Sequence, residues 1–180
     1  MNRIPLTTHM PASGLRFFSP VSYIKKPMYI SASGVTAKLA QRFAKAVNSD
    51  LFEIKPVKPY TNADLNWMDS SSRSSVEMKN KSFRPEVAEK VENMEQYDII
   101  FVAFPIWWYV APTIINTFLE QYDLTGKVVV PMATSGGIGM GKTNSELEPS
   151  CKGAVLKEGK RFAANAGEDE LRKWAEQFIK

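Results

Sequence analysis

Short apolar runs alternate with amphipathic segments along the chain from Tyr29 onward. Two runs, 98–104 and 127–132, each begin with one charged residue and are apolar thereafter. This pattern is typical of strands that are buried on both faces of a parallel sheet. Three shorter runs predict the remaining strands, at 28–30, 51–54 and 154–156.

Helical spacing of apolar residues predicts helices between these runs. The first helix ends near Asn48, and the last begins near Glu168, where acidic residues suit the first turn. Pro85 can open another helix, because proline is favoured at the first helical position. The Ser-rich segment 57–82 is predicted to be mostly loop, with room for a helical turn. The predicted helical segments lie near 39–48, 85–94, 112–119, 144–147 and 168–178.

Strands that alternate with helices through short connections indicate an open α/β sheet with right-handed crossovers. Ligands of such sheets bind beyond the carboxyl ends of the strands. Three loops with distinctive chemistry leave strand ends here, at 31–36, 105–109 and 134–139. We therefore expect these loops to converge on one edge of the sheet.

The first loop, Ser-Ala-Ser-Gly-Val-Thr, combines three hydroxyl groups with backbone N–H groups at the start of a helix. That combination can bind an anion, and it suits a terminal phosphate held without a salt bridge. It lacks the G-x-G-x-x-G pattern of dinucleotide sites. A simple helix cap by Ser33 or Thr36 is the alternative interpretation.

The second and third loops can complete a site for a planar ring. Trp107, Trp108 and Tyr109 directly follow a buried strand, where aromatic side chains can stack on a ring. The glycine-rich third loop offers backbone N–H groups for the polar edge of such a ring. The alternatives are core tryptophans and an ordinary strand-to-helix turn.

Residues 136–143, Gly-Gly-Ile-Gly-Met-Gly-Lys-Thr, also fit the nucleotide-binding pattern G-x-x-x-x-G-K-[ST]. A nucleotide hydrolase of that class needs a strand that ends in Asp to help hold magnesium. Only a short tail follows this segment, and the upstream strand ends in Phe-Pro. We therefore expect Lys142 and Thr143 to begin a short helix.

Composition narrows the chemistry further. The chain has 180 residues, 44% of them hydrophobic, and a net charge of +4, which suits one folded domain without a nucleic-acid partner. One cysteine, Cys151, and one histidine, His9, argue against a multi-cysteine or polyhistidine metal centre and against a Ser-His-Asp triad, so no metal-binding side chain is predicted. No apolar run approaches the ~20 residues of a membrane span. We expect a cytoplasmic protein whose chemistry comes from an organic cofactor.

In this order, the three loops resemble those of the flavodoxin-like FMN-binding family, and especially its bacterial group with a Pro-Ile-Trp-Trp loop. The likeness covers most of residues 29–180, and 97–120 is its most specific part. It implies a three-layer α/β sandwich with a five-stranded parallel sheet in the order 2-1-3-4-5, a topology of which flavodoxin is the standard example. The matching segments are 29–36, 51–60, 84–91, 97–120 and 124–141.

The resemblance implies FMN as the cofactor and assigns each loop a part of it. The residues that would hold the phosphate are Ser31, Ala32, Ser33, Gly34, Val35 and Thr36. The residues that would line the isoalloxazine ring are Pro105, Ile106, Trp107 and Trp108. The residues that would contact the polar edge of the ring are Thr134, Ser135, Gly136 and Gly137.

Three functional hypotheses follow from the resemblance. The first is an electron carrier that serves redox partner proteins. The second is an FMN enzyme that reduces quinones or similar small acceptors with NAD(P)H. The third is a flavodoxin-like fold that no longer binds flavin. In the first two, no side chain need act as acid or base.

The first predicted strand departs from the family pattern. Lys25, Lys26 and Pro27 stand at its start, although this strand is central in the implied sheet. Proline removes a ladder hydrogen bond and buried lysines are costly. We therefore expect a damaged first strand. We also expect 1–27 to be a disordered extension and 28–180 to form the flavodoxin-like domain.

Overall fold

One parallel sheet organises the protein. Its strands are β1 (Lys25–Tyr29), β2 (Phe52–Glu53), β3 (Ile99–Pro105), β4 (Val128–Thr134), β5 (Val155–Leu156) and β6 (Lys160–Phe162). The strand order is β2-β1-β3-β4-β5. The computed structural model describes residues 23–179. A sixth segment, β6, also pairs with β4 in parallel and continues the position of β5, so the sheet has the five predicted positions.

Helices cover both faces of this sheet and confirm the three-layer arrangement. On one face, Phe43 and Trp174 pack with Phe101 of β3. On the other face, Ile114 and Phe118 lie in a second apolar cluster. The helices are α1 (Val35–Ala46), α2 (Arg73–Lys79), α3 (Thr113–Leu119), α4 (Thr143–Leu147) and α5 (Glu168–Ile179), with 3-10 turns at Met94–Gln96 and Glu148–Ser150. None of the helices within 23–179 has the length and apolar character to span a membrane.

The prediction of a damaged first strand is wrong, because Pro27 does not remove a ladder hydrogen bond from β1. The carbonyl of Tyr29 accepts from Ile54 N (2.6 Å), so odd-numbered residues of β1 face β2. Pairing with β2 begins only opposite Met28, beyond the proline. Lys25 and Lys26 are half-buried at the start of the strand. β1 therefore includes residues that the sequence assigned to the extension, while 1–22 lie outside the described residues.

Pro131 in β4 is accommodated in the same way. The carbonyl of Val129 accepts from Lys157 N (2.8 Å), so odd-numbered residues of β4 face the fifth sheet position. The nitrogen of Pro131 thus faces 157–159, the interruption between β5 and β6. Pro131 has no N–H group to donate, and it lies opposite a stretch that forms no strand, so no ladder hydrogen bond is lost.

The helix predicted after Pro85 is wrong. The backbone there runs extended and pairs with 55–57, through Val57 N to Glu86 O (3.0 Å) and Ala88 N to Lys55 O (2.8 Å). Only the 3-10 turn at Met94–Gln96 is helical. The apolar spacing is satisfied by tertiary packing, since Val91 and Met94 are buried in the core without a helix.

Candidate functional site

The three distinctive loops converge as the sequence predicted. β1, β3 and β4 are adjacent in the sheet, so their carboxyl ends meet at one edge. The Thr36 and Thr134 hydroxyl oxygens lie 2.8 Å apart and join the first loop to the third. Ile106 N donates to the carbonyl of Thr134 (2.8 Å) and joins the second loop to the third.

A cavity of about 500 Å³ opens where these loops meet, and we call it the cofactor cavity. Its volume lies in the range of small-molecule sites. Six of the fourteen predicted site residues line it: Ala32, Ser33, Pro105, Ile106, Trp107 and Trp108. Tyr109 and Ile138, in the second and third loops, line it too, and the sequence missed three further lining residues: Leu65, Trp67 and Ser74.

The first loop has the backbone geometry of an anion site. Gly34 has a φ of +82° and stands at the cap of α1, where the first helical N–H groups have no partner inside the helix. A Cβ at Gly34 would meet no atom within 4 Å, so the space in front of the loop is open. The Ser31 hydroxyl is buried and has no hydrogen-bond partner within residues 23–179.

The second loop is a tight turn formed by two aromatic residues, and we call residues 107–110 the aromatic turn. Trp107 and Val110 exchange two backbone hydrogen bonds, each 3.0 Å. Trp108 and Tyr109 both have positive φ, +45° and +69°. Bulky residues rarely adopt this conformation, and such strain persists only where the surroundings impose it. The turn holds both rings outward, with Trp108 40% and Tyr109 63% exposed.

Gly141 packs directly against the backbone of the aromatic turn. A Cβ at this position would overlap the carbonyl oxygen of Tyr109, and Gly141 also has a φ of +54°. The sixth position of the nucleotide-binding pattern thus packs against protein backbone. Thr143, the last position of the pattern, is fully buried, and the predicted short helix begins there with Lys142 as its cap.

The indole of Trp107 is positioned from outside the loop by a network centred on Tyr60. The two rings meet edge to face, with centroids 5.2 Å apart. The Tyr60 hydroxyl donates to Glu77 (2.5 Å), and the Arg73 guanidinium donates to the same carboxylate (2.7 Å) and covers the Tyr60 ring at 4.1 Å. Burial, followed by the hydrogen bond to Glu77, raises the pKa of Tyr60.

The segment 57–82, predicted as loop, contributes helix α2 and one wall of the cofactor cavity. Ser74 of α2 lines the cavity, and its buried hydroxyl has no partner in the part of the chain that the structure describes. Trp67 lines it too and is 73% exposed. The four-residue spacing of Arg73 and Glu77 is the local signal from which α2 could have been predicted.

Side chains of the third loop form hydrogen bonds that fix the conformation of the loop itself. Ser135 Oγ donates to the carbonyl of Ile138 and accepts from Gly137 N (3.4 Å). Gly137 has a φ of +146°, while Gly136 is exposed with open space around it. The hydroxyls of Thr134 and Ser135 are therefore engaged, and the loop keeps exposed backbone at 136–139. The residues of 23–179 form no cluster of His, Cys, Asp or Glu that could hold a metal ion.

Comparison with known proteins agrees with this geometry. A family model described as Flavodoxin matches residues 25–178. A protein described as a putative flavoprotein from Bacteroides eggerthii is 42% identical, with a TM-score of 0.82 over 87% of this chain and 98% of that one. A second protein so described, from Bacteroides uniformis, is 40% identical, with a TM-score of 0.80 over 86% and 99%.

A flavoprotein from Lactobacillus acidophilus, solved in complex with FMN, is similar in fold. It is 24% identical, with a TM-score of 0.64 over 86% of this chain and 99% of that one. No curated protein matches the sequence. Because the family model covers nearly all of the described residues, this chain belongs to the flavodoxin family.

Proposed function

We propose that the protein binds FMN in the cofactor cavity and serves as an electron-transfer protein. One observation carries the proposal: a single cavity of about 500 Å³ joins an anion-binding loop to a wall of tryptophans. FMN needs both, because it carries a terminal phosphate and a planar ring. The hydroxyls of Ser31, in the loop, and Ser74, in the cavity wall, provide hydrogen-bonding capacity that residues 23–179 leave unused.

Each of the three loops would hold one part of the cofactor. Residues 31–36 would bind the phosphate through backbone N–H groups and hydroxyls, with Gly34 giving the close approach. Residues 105–108 would contact the isoalloxazine ring, and 134–137 would reach its polar edge. Trp67, which lines the cavity on the side of α2, would cover the ring.

Electron transfer agrees with the neutrality of this cavity. The described residues that line it include no Asp, Glu, His, Lys, Arg or Cys. Bound FMN would supply the redox chemistry, and the chain would supply stacking, backbone donors and exclusion of water. The exposed rings of Trp108 and Tyr109 at the mouth would give a redox partner protein, or a small-molecule acceptor, a short route to the ring.

Titration of the purified protein with FMN, followed by flavin and tryptophan fluorescence, tests the proposal. We expect saturable binding with quenching of both signals. Gly34→Asp should abolish binding, because it places a negative charge in the phosphate loop. Gly126→Asp is the matched control, since Gly126 has a similar φ of +76° and equally open surroundings outside the three loops. Trp108→Ala should weaken binding about ten-fold through lost stacking.

Two results would contradict the proposal: a folded protein that binds no FMN, or equal affinity in Gly34→Asp and Gly126→Asp. Circular dichroism of each variant establishes that it is folded. Once FMN is bound, turnover of NADH or NADPH with a quinone separates the two redox hypotheses. Steady turnover would indicate an oxidoreductase, and its lack would favour a carrier.

A further inference from the structure

A second cavity lies on the other side of the aromatic turn and is larger than the cofactor cavity, about 640 Å³. It is bounded by the turn, by the start of α3 and by the segment around α4. Trp108 and Tyr109 line both cavities.

One buried hydroxyl in this wall has unused hydrogen-bonding capacity. Thr113 is 6% exposed, and its Oγ1 has no partner among the described residues. Its neighbour Asn116 is satisfied, because Nδ2 donates to the carbonyl of Glu146 (3.0 Å) and to Ser150 Oγ (2.9 Å). Buried hydroxyls normally have a partner, so Thr113 indicates a place where a ligand atom completes the wall.

The charged residues of the wall leave one positive charge in excess. Lys81 pairs with Glu146, and Arg84 forms two hydrogen bonds to Glu120, of 2.8 and 2.9 Å. Lys142 forms no ion pair within residues 23–179 and lines the cavity beside Gly141. The cavity therefore favours a ligand with a single negative charge.

The remaining wall is apolar and includes a flat aromatic surface. Met78, Val110, Ala111 and Pro149 surround the side that Trp108 contributes. An exposed indole next to small apolar side chains offers stacking to a planar ring. The volume is large enough for a ligand of one or two fused rings and lies in the range of small-molecule sites.

We propose that the second cavity binds a small planar aromatic molecule that carries one acidic group. The ring would pack against Trp108 and the apolar wall, the acidic group would lie near Lys142, and Thr113 would form a hydrogen bond to the ligand. This site is separate from the cofactor cavity and does not depend on FMN. Because the two cavities share Trp108 and Tyr109, a ligand in either one contacts the turn that walls the other.

Amide-resolved NMR of the flavin-free protein with naphthoate tests the proposal. We expect saturable shifts of the amides of Thr113, Gly141 and Lys142. Naphthamide, which has the same ring without the charge, should bind at least five-fold more weakly. Shifts centred on Ala32, Ser33 and Ile138 would place the ligand in the cofactor cavity and overturn the proposal. Equal affinity for naphthamide, or no saturable shift, would overturn it as well.

Two substitutions locate the interaction independently. Lys142→Gln and Thr113→Val should each weaken naphthoate about five-fold, the first through lost charge and the second through a lost hydrogen bond. Neither should unfold the protein, because Lys142 is exposed and the Thr113 hydroxyl has no partner to lose. Lys173→Gln on α5 is the control and should bind as the unaltered protein does. Unchanged affinity in both cavity variants would refute the site, whatever the outcome of the FMN titration.

Discussion

The two cavities share one wall, but the ion pairs that stand beside them differ in burial. Behind the cofactor cavity, Arg73 and Glu77 form a pair in which the Glu77 side chain is only 3% exposed. Beside the second cavity, Arg84 and Glu120 form a bidentate pair in which the Glu120 side chain is 39% exposed. The first pair lies under an aromatic ring, and the second is in contact with solvent.

This difference shows how one fold builds a neutral site next to a charged one. The Arg73–Glu77 pair does not reach the lining of the cofactor cavity, and it acts there through Tyr60, whose ring contacts Trp107. In the second cavity the lining itself carries charged side chains, those of Lys81, Arg84, Lys142 and Glu146. The buried pair can therefore position an aromatic wall without adding charge to the cavity lining. The half-exposed pair leaves the charged side chain of Arg84 in the lining of the second cavity.

The largest expected effect comes from Gly141, because a substitution there disturbs the aromatic turn that walls both cavities. Gly141→Ala should destabilise the protein by about 2–4 kcal/mol, the sum of a left-handed conformation and an overlap with the Tyr109 carbonyl. Gly139→Ala, with open space and no positive φ, should change the stability by less than about 1 kcal/mol. Urea unfolding of both variants measures the difference. Equal stabilities would mean that the turn relaxes freely and is not held by Gly141.

A smaller effect should separate the two ion pairs. Glu77→Gln should cost about 2 kcal/mol, because it leaves Arg73 without its buried counter-charge. Glu120→Gln should cost less than about 1 kcal/mol, as expected for a half-exposed pair. Urea unfolding at low and high salt provides the measurement, and only the Glu120 contribution should fall markedly with salt. If the two substitutions cost the same, the contrast between the cavities is refuted.

The smallest effect is an alkaline loss of stability to which Tyr60 and Cys151 contribute. Burial raises the pKa of Tyr60 behind the cofactor cavity. Burial, with a smaller effect of Glu148, raises the pKa of Cys151 from 9.0 to about 11 beyond α4. Both folded pKa values exceed the unfolded ones, so the unfolded chain loses protons first and the stability falls as the pH rises above 9.

Unfolding free energies across this range measure that loss. Cys151→Ala should remove about 1 kcal/mol of the decrease per pH unit where only the unfolded thiol ionises. Tyr60→Phe should act at higher pH, because the ordinary pKa of tyrosine is 10.0. Surface Ser82→Ala, which changes no titratable group, is the control and should leave the slope unchanged. A Cys151→Ala variant with an unaltered slope would show that the thiol does not contribute.

Much of the fold could be predicted because the relevant signals are local. The apolar runs that became β3 and β4 are fully buried strands, as continuous hydrophobicity indicates. The convergence of the three loops follows from parallel topology, which brings strand ends to one edge. The prediction of a helix after Pro85 failed because the decisive contact is not local: backbone pairing with 55–57 outweighed the helical spacing.

The site itself could be predicted only in part. The loops at 31–36 and 105–108 were visible because glycine, hydroxyl and aromatic residues cluster at strand ends. Trp67 and Ser74 were not, because they reach the cavity from a polar segment far along the chain. Pro27 misled for a similar reason: a proline is harmful only if its missing N–H group faces a strand, which is a property of register.

By itself, the sequence determined the strand and helix alternation, the parallel sheet and the loops from which a ligand site could be built. Hydrophobic periodicity and turn residues carry that information, because both act through neighbours a few positions apart. Only the tertiary structure decided which side chains meet. The strained aromatic turn, the support from Gly141, the Tyr60 network and the second cavity all depend on contacts between distant segments. Such contacts are set by packing and register, which no local pattern specifies.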